Sequence, residues 1–313
     1  MKSLRASKVH LPAGELAAEL QTSPATIQKR MTILREAGFD IDERPGLGFR
    51  LVSAPDRLIA DDLYSRLGTS MLVREILVLA ETTSTNDRAN DFARRGAPGG
   101  TAVLAEFQTA GRGRFGRRWE STPYAGIWCS LLLRPHFMPA LWPRLTTWTA
   151  LAIADAIEET AGVAVAIKWP NDLVIAGRKV AGILIETGED EAQRRFAVVG
   201  FGINVNQTAS DFSDGLAENA GSLRQLTGRP LDRAALTVAI FRAMETRLAQ
   251  VETRFSAMVQ EASCRSTILG RWVRVRVGGQ LWKGWRSLWT ARGAWFCGRG
   301  QAHHARSVEV KFP

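Results

Sequence analysis

Residues 105–135, AEFQTAGRGRFGRRWESTPYAGIWCSLLLRP, are the stretch from which the rest of the chain is read. Up to Gln108, residues 101–107 (TAVLAEF) are short and apolar, the pattern of a buried strand. After Pro123, residues 126–133 (GIWCSLLL) repeat it. Between the two lie Gly111, Gly113 and Gly116 together with Arg112, Arg114, Arg117 and Arg118. Closely spaced glycines let backbone N–H groups approach an anion, and guanidinium forks match carboxylate and phosphate oxygens. The stretch predicts a loop that holds a negatively charged ligand against a sheet. Two other readings stand beside it. Residues 111–116 satisfy G-x-G-x-x-G, but the dinucleotide fingerprint needs a helix directly afterwards and an acid further on; here Pro123 and a second strand follow. The other is a solvated Arg/Gly loop that touches nucleic acid through phosphates alone.

A second stretch adds a cation. Lys168-Trp-Pro-Asn-Asp172 follows the apolar residues 163–167 and precedes residues 173–175; a turn with Gly177 then leads into residues 179–186. Strand, proline-fixed turn, strand, hairpin and strand are expected, with Lys168 at a strand end. Taken together, GRGRFGRRW (111–119), KWPNDL (168–173), RKVAGILIE (178–186) and GFGINVN (200–206) resemble, in order and spacing, the signature set of biotin protein ligases. The resemblance is strong over residues 81–251. Residues 11–51 look like the family's N-terminal winged helix-turn-helix, and the last fifty residues match poorly.

Outside the signatures the chain is ordinary in composition. Its 313 residues suffice for two or three domains. No run approaches the 18 apolar residues of a membrane span, since residues 148–157 are interrupted by Asp155. The opening MKSLRASKVHLP is charged, so no secretory signal is expected. Cys129, Cys264 and Cys297 are odd in number and widely spaced, which suggests a reducing cytoplasm and no zinc site. The net charge of +10 is unevenly placed: from residue 264 onward ten Lys/Arg face one acid, Glu309, so basicity says little about the N-terminal part.

In chain order, residues 2–9 suit a short helix, and Pro12 opens a second with Leu16, Ala17 and Leu20 on one face. Ser23-Pro24 caps a third over residues 25–37, with Ile27, Met31 and Leu34 at helical spacing, ended by Gly38. Residues 39–51 read as a two-stranded wing. Thr26, Gln28, Lys29, Arg30 and Thr32 are the candidates for DNA contact, or the module is a scaffold. A linker with a short helix fills residues 53–70, residues 75–79 are a strand, and Ser84, Thr85 and Asn86 precede a helix. A long amphipathic helix is expected over 143–162, a strand over 196–203, and a second long helix over 231–261.

The resemblance implies an α+β fold: an N-terminal winged helix-turn-helix, a central mixed β-sheet with helices of the class II synthetase-like biotin/lipoate ligase type, and a divergent C-terminal SH3-like β-barrel. The corresponding divisions are 1–66, 67–262 and 263–313. It implies an ATP-dependent biotin–[biotin carboxyl-carrier protein] ligase. Biotin and ATP give biotinyl-5′-AMP, and biotin then passes to a lysine of a biotin carboxyl carrier protein such as that of acetyl-CoA carboxylase. Carried onto these positions, Arg112, Arg114 and Lys168 are catalytic, while Ser84, Thr85, Asn86, Gln108, Gly111, Gly113 and Asn204 join them in holding biotin and nucleotide. Mg²⁺ is expected with the triphosphate, and Asp172 is its weak protein candidate. Operator DNA and a homodimer formed on adenylate binding are further implied partners; no membrane is. The alternatives are a DNA-binding biotin sensor without ligase activity, and a lipoate or octanoate ligase. Position 115 is Phe where the family commonly has arginine. Residues 270–279 and 307–311 suit the first and last barrel strands. Between them Trp282, Trp285, Trp289 and Trp295 crowd a segment without clean alternation, so an altered middle and slow transfer to the carrier are expected.

Overall fold

The computed structural model describes residues 1–270 throughout and, beyond them, the backbone of five strands. The N-terminal unit comprises α1 (Lys2–Ala6), α2 (Ala13–Glu19), α3 (Pro24–Glu36) and the antiparallel pair β1 (Asp40–Arg44) and β2 (Gly48–Ser53). Ser23 accepts the Thr26 N–H at 3.2 Å with Pro24 at the first helical position, so α3 starts where its cap places it. Leu16, Ala17, Ile27, Met31, Phe39 and Phe49 form its core. Leu20, expected on the buried face, instead follows the last turn of α2 and is 46% exposed.

The central unit runs α4 (Ala60–Leu67), β3 (Glu75–Leu79), α5 (Thr85–Arg94), β4 (Thr101–Ala105), β5 (Gly126–Leu133), α6 (Arg144–Ala161), β6 (Ala166–Lys168), β7 (Asp172–Ile175), β8 (Arg178–Glu189) and β9 (Arg195–Asn204). Then come α7 (Asp214–Ala217), α8 (Leu223–Thr227), α9 (Arg233–Leu248), α10 (Gln250–Thr253) and α11 (Phe255–Cys264). Seven strands make one sheet in the order β3-β4-β5-β9-β8-β7-β6. Only β3 and β4 are parallel, as their crossover through α5 requires. The sheet is covered on both faces: Ala89 and Ala93 of α5 meet Val103, Leu132, Phe196 and Val198 on one, while α6 and the helices behind it cover the other. Such two-sided burial explains why β5 reads as continuous apolar sequence without alternation.

Two helical expectations change. In α6, Ala150, Ala152 and Ala154 are buried along with Leu145, Trp148, Leu151, Ile153, Ala156 and Ile157, because the helix lies between the sheet and α9. It has little solvent face. The single helix expected over 231–261 is three helices. The chain leaves helical geometry at Arg254 (φ −132°, ψ 30°), which lets Phe255, Met258 and Ala262 fold back onto the core. Arg144 donates to the Val251 carbonyl at 3.0 Å near the break, and Arg247 pairs with Asp155 and Glu261 to pin the returning helix.

Arg233, at the start of α9, is fully buried. It donates to Glu106 Oε2 (2.5 Å), the Gly126 carbonyl (3.0 Å), Asp56 Oδ1 (2.8 Å) and the Asp56 carbonyl (2.7 Å). Glu106 Oε1 in turn accepts the Leu58 N–H at 2.6 Å. The connector after the wing is thereby tied to the sheet. Closer to the wing, Arg5 of α1 pairs with Asp62 of α4, and Arg66 bridges Asp62 and Asp232.

Beyond residue 270 the strands β10 (Trp272–Val277), β11 (Gln280–Trp289), β12 (Trp295–Cys297), β13 (Gln301–His303) and β14 (Glu309–Lys311) pair antiparallel in the order β13-β12-β11-β10-β14. How the four tryptophans of residues 282–306 pack, and with it the expected altered middle, lies outside the described residues. Among the described residues no helix is long and apolar enough to cross a membrane.

Candidate active site

A cavity of about 330 Å³ opens at one end of the sheet, where the 111–119 loop, the start of α5, the β6–β7 turn and the ends of β8 and β9 converge. Ser84, Thr85, Asn86, Gln108, Arg112, Gly113, Arg114, Lys168 and Asn204 all line it. Residues up to 120 positions apart in sequence thus meet in one place. Gly111 is not among the lining residues. It packs behind the wall, where a β-carbon would lie 2.6 Å from the Trp119 carbonyl. Asn206 likewise leaves the cavity: its amide bonds Asp56 and the Leu231 backbone.

The inner wall is neutral and hydrogen-bonding. Ser84 precedes α5 but makes no side-chain cap, so its hydroxyl is not consumed by the helix. The Thr85 N–H and hydroxyl both donate to Gln108 Oε1, at 2.8 and 3.1 Å. Ser130 Oγ, on β5, lies 2.6 Å from Asn86 Oδ1 and 2.8 Å from Thr85 Oγ1. Asn86 rests directly on Gly200, where a β-carbon would come within 2.0 Å of its Oδ1. Only glycine admits that approach. Similarly, Gly182 and Gly202 form the floor beneath the Trp119 ring, each too close for a side chain at 2.8 and 2.7 Å. Trp119 packs edge-on against Trp128 (centroids 6.2 Å apart), and its buried indole N–H finds no partner among the described residues.

The outer wall is charged. The 111–119 segment closes as a small hairpin, with Gly113 N–H to Arg117 O at 2.7 Å and Trp119 N–H to Gly111 O at 2.8 Å. Arg112 forks onto Glu186 (2.9 and 2.7 Å) and also meets Asp87 at 2.7 Å. Burial disfavours its charge, but Glu186 and Asp87 more than offset this and raise its pKa above the ordinary guanidinium value. Arg114 has only Asn171 Oδ1, at 3.3 Å, and makes no ion pair among the described residues. Burial lowers its pKa, and the nearby Asp172 charge only partly opposes this. Lys168 ends β6 opposite Asp172, before a cis Trp169–Pro170 bond. Burial lowers its pKa, Asp172 pulls it back up, and Lys179 pushes it down again. Asp172 already lies 2.7 Å from Lys179 Nζ, an ion contact without the direction of a hydrogen bond. Among the described residues no group of three or more His, Cys, Asp or Glu could hold a metal ion.

Several contributors were not singled out from sequence. Glu186 and Gly182 lie within RKVAGILIE, so their motif was legible while their roles were not. Ser130 and Asp87 carry no local signal. The spacing of Gly200 and Gly202 on a buried strand was the available hint of close approach by another group.

Cation-rich and neutral walls meeting in one cavity suit a ligand with an anionic end and a neutral polar end. The comparisons agree with that chemistry. Residues 78–204 match the Biotin/lipoate A/B protein ligase family, and residues 1–50 match an HTH domain. The chain is 37% identical over 233 residues to the bifunctional ligase/repressor BirA of Bacillus subtilis, covering 74% of this chain and 72% of that one. It is 34% identical over 234 residues to the biotin–[acetyl-CoA-carboxylase] ligase of Mycobacterium tuberculosis, covering 72% and 82% respectively. Among solved structures, the Aquifex aeolicus biotin protein ligase in complex with biotin and ATP superimposes with a TM-score of 0.67 at 26% identity, over 76% of this chain and 99% of that one. A resemblance first carried by four short motifs thus extends through the sheet and its helices, and the chain belongs to the biotin protein ligase family.

Proposed function

We propose that the chain is an ATP-dependent biotin protein ligase acting in the cytoplasm. It joins biotin to ATP as biotinyl-5′-AMP and passes biotin to a lysine of a biotin carboxyl carrier protein. The observation that carries this reading is the convergence of Arg112, Arg114 and Lys168 opposite the neutral wall of Thr85, Asn86 and Gln108. Biotin's ureido group is neutral, with N–H donors and a carbonyl acceptor, so hydroxyls and amides suit it. Its carboxylate must be brought against a polyanion. In the first step a carboxylate oxygen bonds to the α-phosphorus and pyrophosphate leaves. In the second, the lysine amine attacks the anhydride carbonyl and AMP leaves with the electron pair.

Neither step needs a covalent nucleophile from the protein. Its work is to hold two anions together and stabilise the charge that grows on phosphorus. Arg112 and Arg114 would hold carboxylate and phosphoryl oxygens from the loop, with Gly113 letting its backbone come close. Lys168 would act from the opposite wall, Ser84 would add a hydroxyl toward biotin, and Asn204 would read the adenine edge. Mg²⁺ would arrive on the triphosphate.

The division into residues 1–66, 67–262 and 263–313, with the last an SH3-like barrel that closes over the adenylate, belongs to the same proposal. So does a second role as a biotin-responsive repressor. On α3, Gln28, Lys29, Arg30 and Thr32 are exposed, as a groove-reading helix requires, although Gln28 is engaged with Glu43 of the wing. Biotin-dependent exchange of pyrophosphate into ATP tests the first half-reaction, and transfer of labelled biotin to a carrier domain tests the second. Exchange without transfer would limit the reading to adenylation. Neither activity, with biotin-dependent operator binding intact, would make the chain a sensor.

A further inference from the structure

We propose that Phe115 is a positioning residue: its ring holds the Arg114 guanidinium through a cation–π contact, so that no carboxylate occupies its N–H groups and they stay available to an anion. The proposal rests on the ligase reading of the cavity and concerns one residue in which this chain departs from the family's usual arginine.

Phe115 is an odd residue for its place. Its backbone is left-handed (φ 60°, ψ 33°), a conformation that disfavours any side chain with a β-carbon, and Gly116 continues left-handed at φ 71°. The side chain is 54% exposed, so burial does not offset the strain. A strained, exposed aromatic at the mouth of a cavity asks for a reason other than packing. The two left-handed residues turn the loop so that the Phe115 ring comes under Arg114, with Cζ 4.9 Å from the ring centroid.

The neighbouring arginine shows what that contact achieves. Arg112 is held by Glu186 and Asp87, whose oxygens occupy its N–H groups and offset its charge. Arg114 is held by the ring and by one long bond to Asn171, whose own amide is anchored on the Ile183 carbonyl at 3.0 Å. A carboxylate fixes a guanidinium by using its edge. An aromatic ring attracts the cation without taking up its N–H groups as an anionic acceptor does, leaving donors for a carboxylate or phosphoryl oxygen. Arg114 is thus oriented before a ligand arrives, and the ordering cost falls on the folded loop and not on binding.

The test is biotin-dependent pyrophosphate exchange with Phe115→Leu, Phe115→Tyr and Phe115→Gly, alongside melting temperature. Phe115→Leu keeps an apolar side chain on the left-handed backbone and removes only the π face. It is expected to raise KM for ATP about three- to tenfold with kcat within about twofold, the pattern of lost pre-organised binding. Phe115→Tyr is expected to match the wild type. Phe115→Gly removes the strain, so it should weaken ATP binding as Leu does while the melting temperature holds or rises. Adding Phe115→Leu to Arg114→Met should change nothing further, because the ring acts only through Arg114. Phe115→Leu at wild-type KM, an equal loss in the Arg114→Met background, or a loss that tracks falling melting temperature would each overturn the proposal. Absence of exchange in the wild type itself would instead overturn the ligase reading.

Discussion

Arg233 and the Arg112–Arg114 pair have the same functional group, and the fold uses it in opposite ways. Arg233 has no exposed surface, and its guanidinium contacts two carboxylates and two backbone carbonyls. Arg112 and Arg114 stand in a partly open loop, one sharing Glu186 and Asp87, the other with no acid in contact among the described residues. Burial explains the difference. A charge removed from water is tolerated only with counter-charge and satisfied hydrogen bonds around it. A charge left half in water can remain uncompensated, and an uncompensated charge is what an arriving anion can use. Full satisfaction marks Arg233 as structural, and incomplete satisfaction marks Arg114 as available.

The largest effect that would sharpen this contrast is on stability. Arg233→Met leaves Glu106 and Asp56 facing an apolar side chain, and denaturant titration should show a loss of about 3–5 kcal/mol. Pairing it with Glu106→Gln should recover part of that loss. A loss below about 1 kcal/mol, in the range of exposed ion pairs, would mean that the clamp does not hold the fold together.

Next comes Lys168→Met, expected to lower pyrophosphate exchange about 10²-fold or more, as removal of a transition-state contact does. Its melting temperature should fall little by comparison, so that the lost rate reads as chemistry and not as unfolding. An exchange rate near wild type would remove Lys168 from the chemistry.

A smaller effect is one of pH. Burial and Lys179 lower the Lys168 pKa against the pull of Asp172. A lysine is charged below its pKa, so the lowered value means that charge is lost earlier as pH rises. The alkaline limb of kcat/KM for ATP should therefore lie below that of an ordinary lysine, and Lys168→Arg should move it upward. A limb that stays in place would assign it to another group.

The smallest effect concerns the first 52 residues. Removing them takes Arg5 from Asp62, which keeps Arg66. Asp62 keeps that partner and the cavity is built from other elements, so exchange should stay within about fivefold, the equivalent of about 1 kcal/mol. The whole chain should bind a palindromic operator more tightly once biotin and ATP are supplied. Uniform weak binding to every duplex would leave the unit a scaffold.

What could be read from sequence was what is local. The 111–119 loop, the KWPND turn and strands β5, β7 and β9 each announce themselves within a dozen residues, by glycine spacing, by proline or by unbroken apolar runs. What could not be read was who meets whom. Glu186 reaches Arg112 across 74 positions and Glu106 reaches Arg233 across 127, and neither carboxylate differs from its neighbours until the sheet is assembled. The break at Arg254 escaped for a related reason. Nothing in residues 249–255 disfavours helix strongly, and the bend is imposed by the need to return Phe255 and Met258 to the core. Asn204 and Asn206 stand two positions apart in one motif, yet Asn204 lines the cavity and bonds the Gly221 carbonyl while Asn206 bonds Asp56 and the Leu231 carbonyl.

The acids around Arg112 have one more consequence, for selectivity in a crowded solution. Because Glu186 and Asp87 already sit on that guanidinium, the cavity behaves like an ion exchanger whose resident counter-ions must be displaced. A small monoanion that takes their place exchanges one carboxylate contact for another and gains little. A ligand that reaches Arg112 and Arg114 together gains a second contact that no resident carboxylate occupies, and this offsets the displacement. Displacement at Arg112 is thus easiest for an anion that is also held elsewhere in the cavity, and carboxylates the protein itself carries set that threshold.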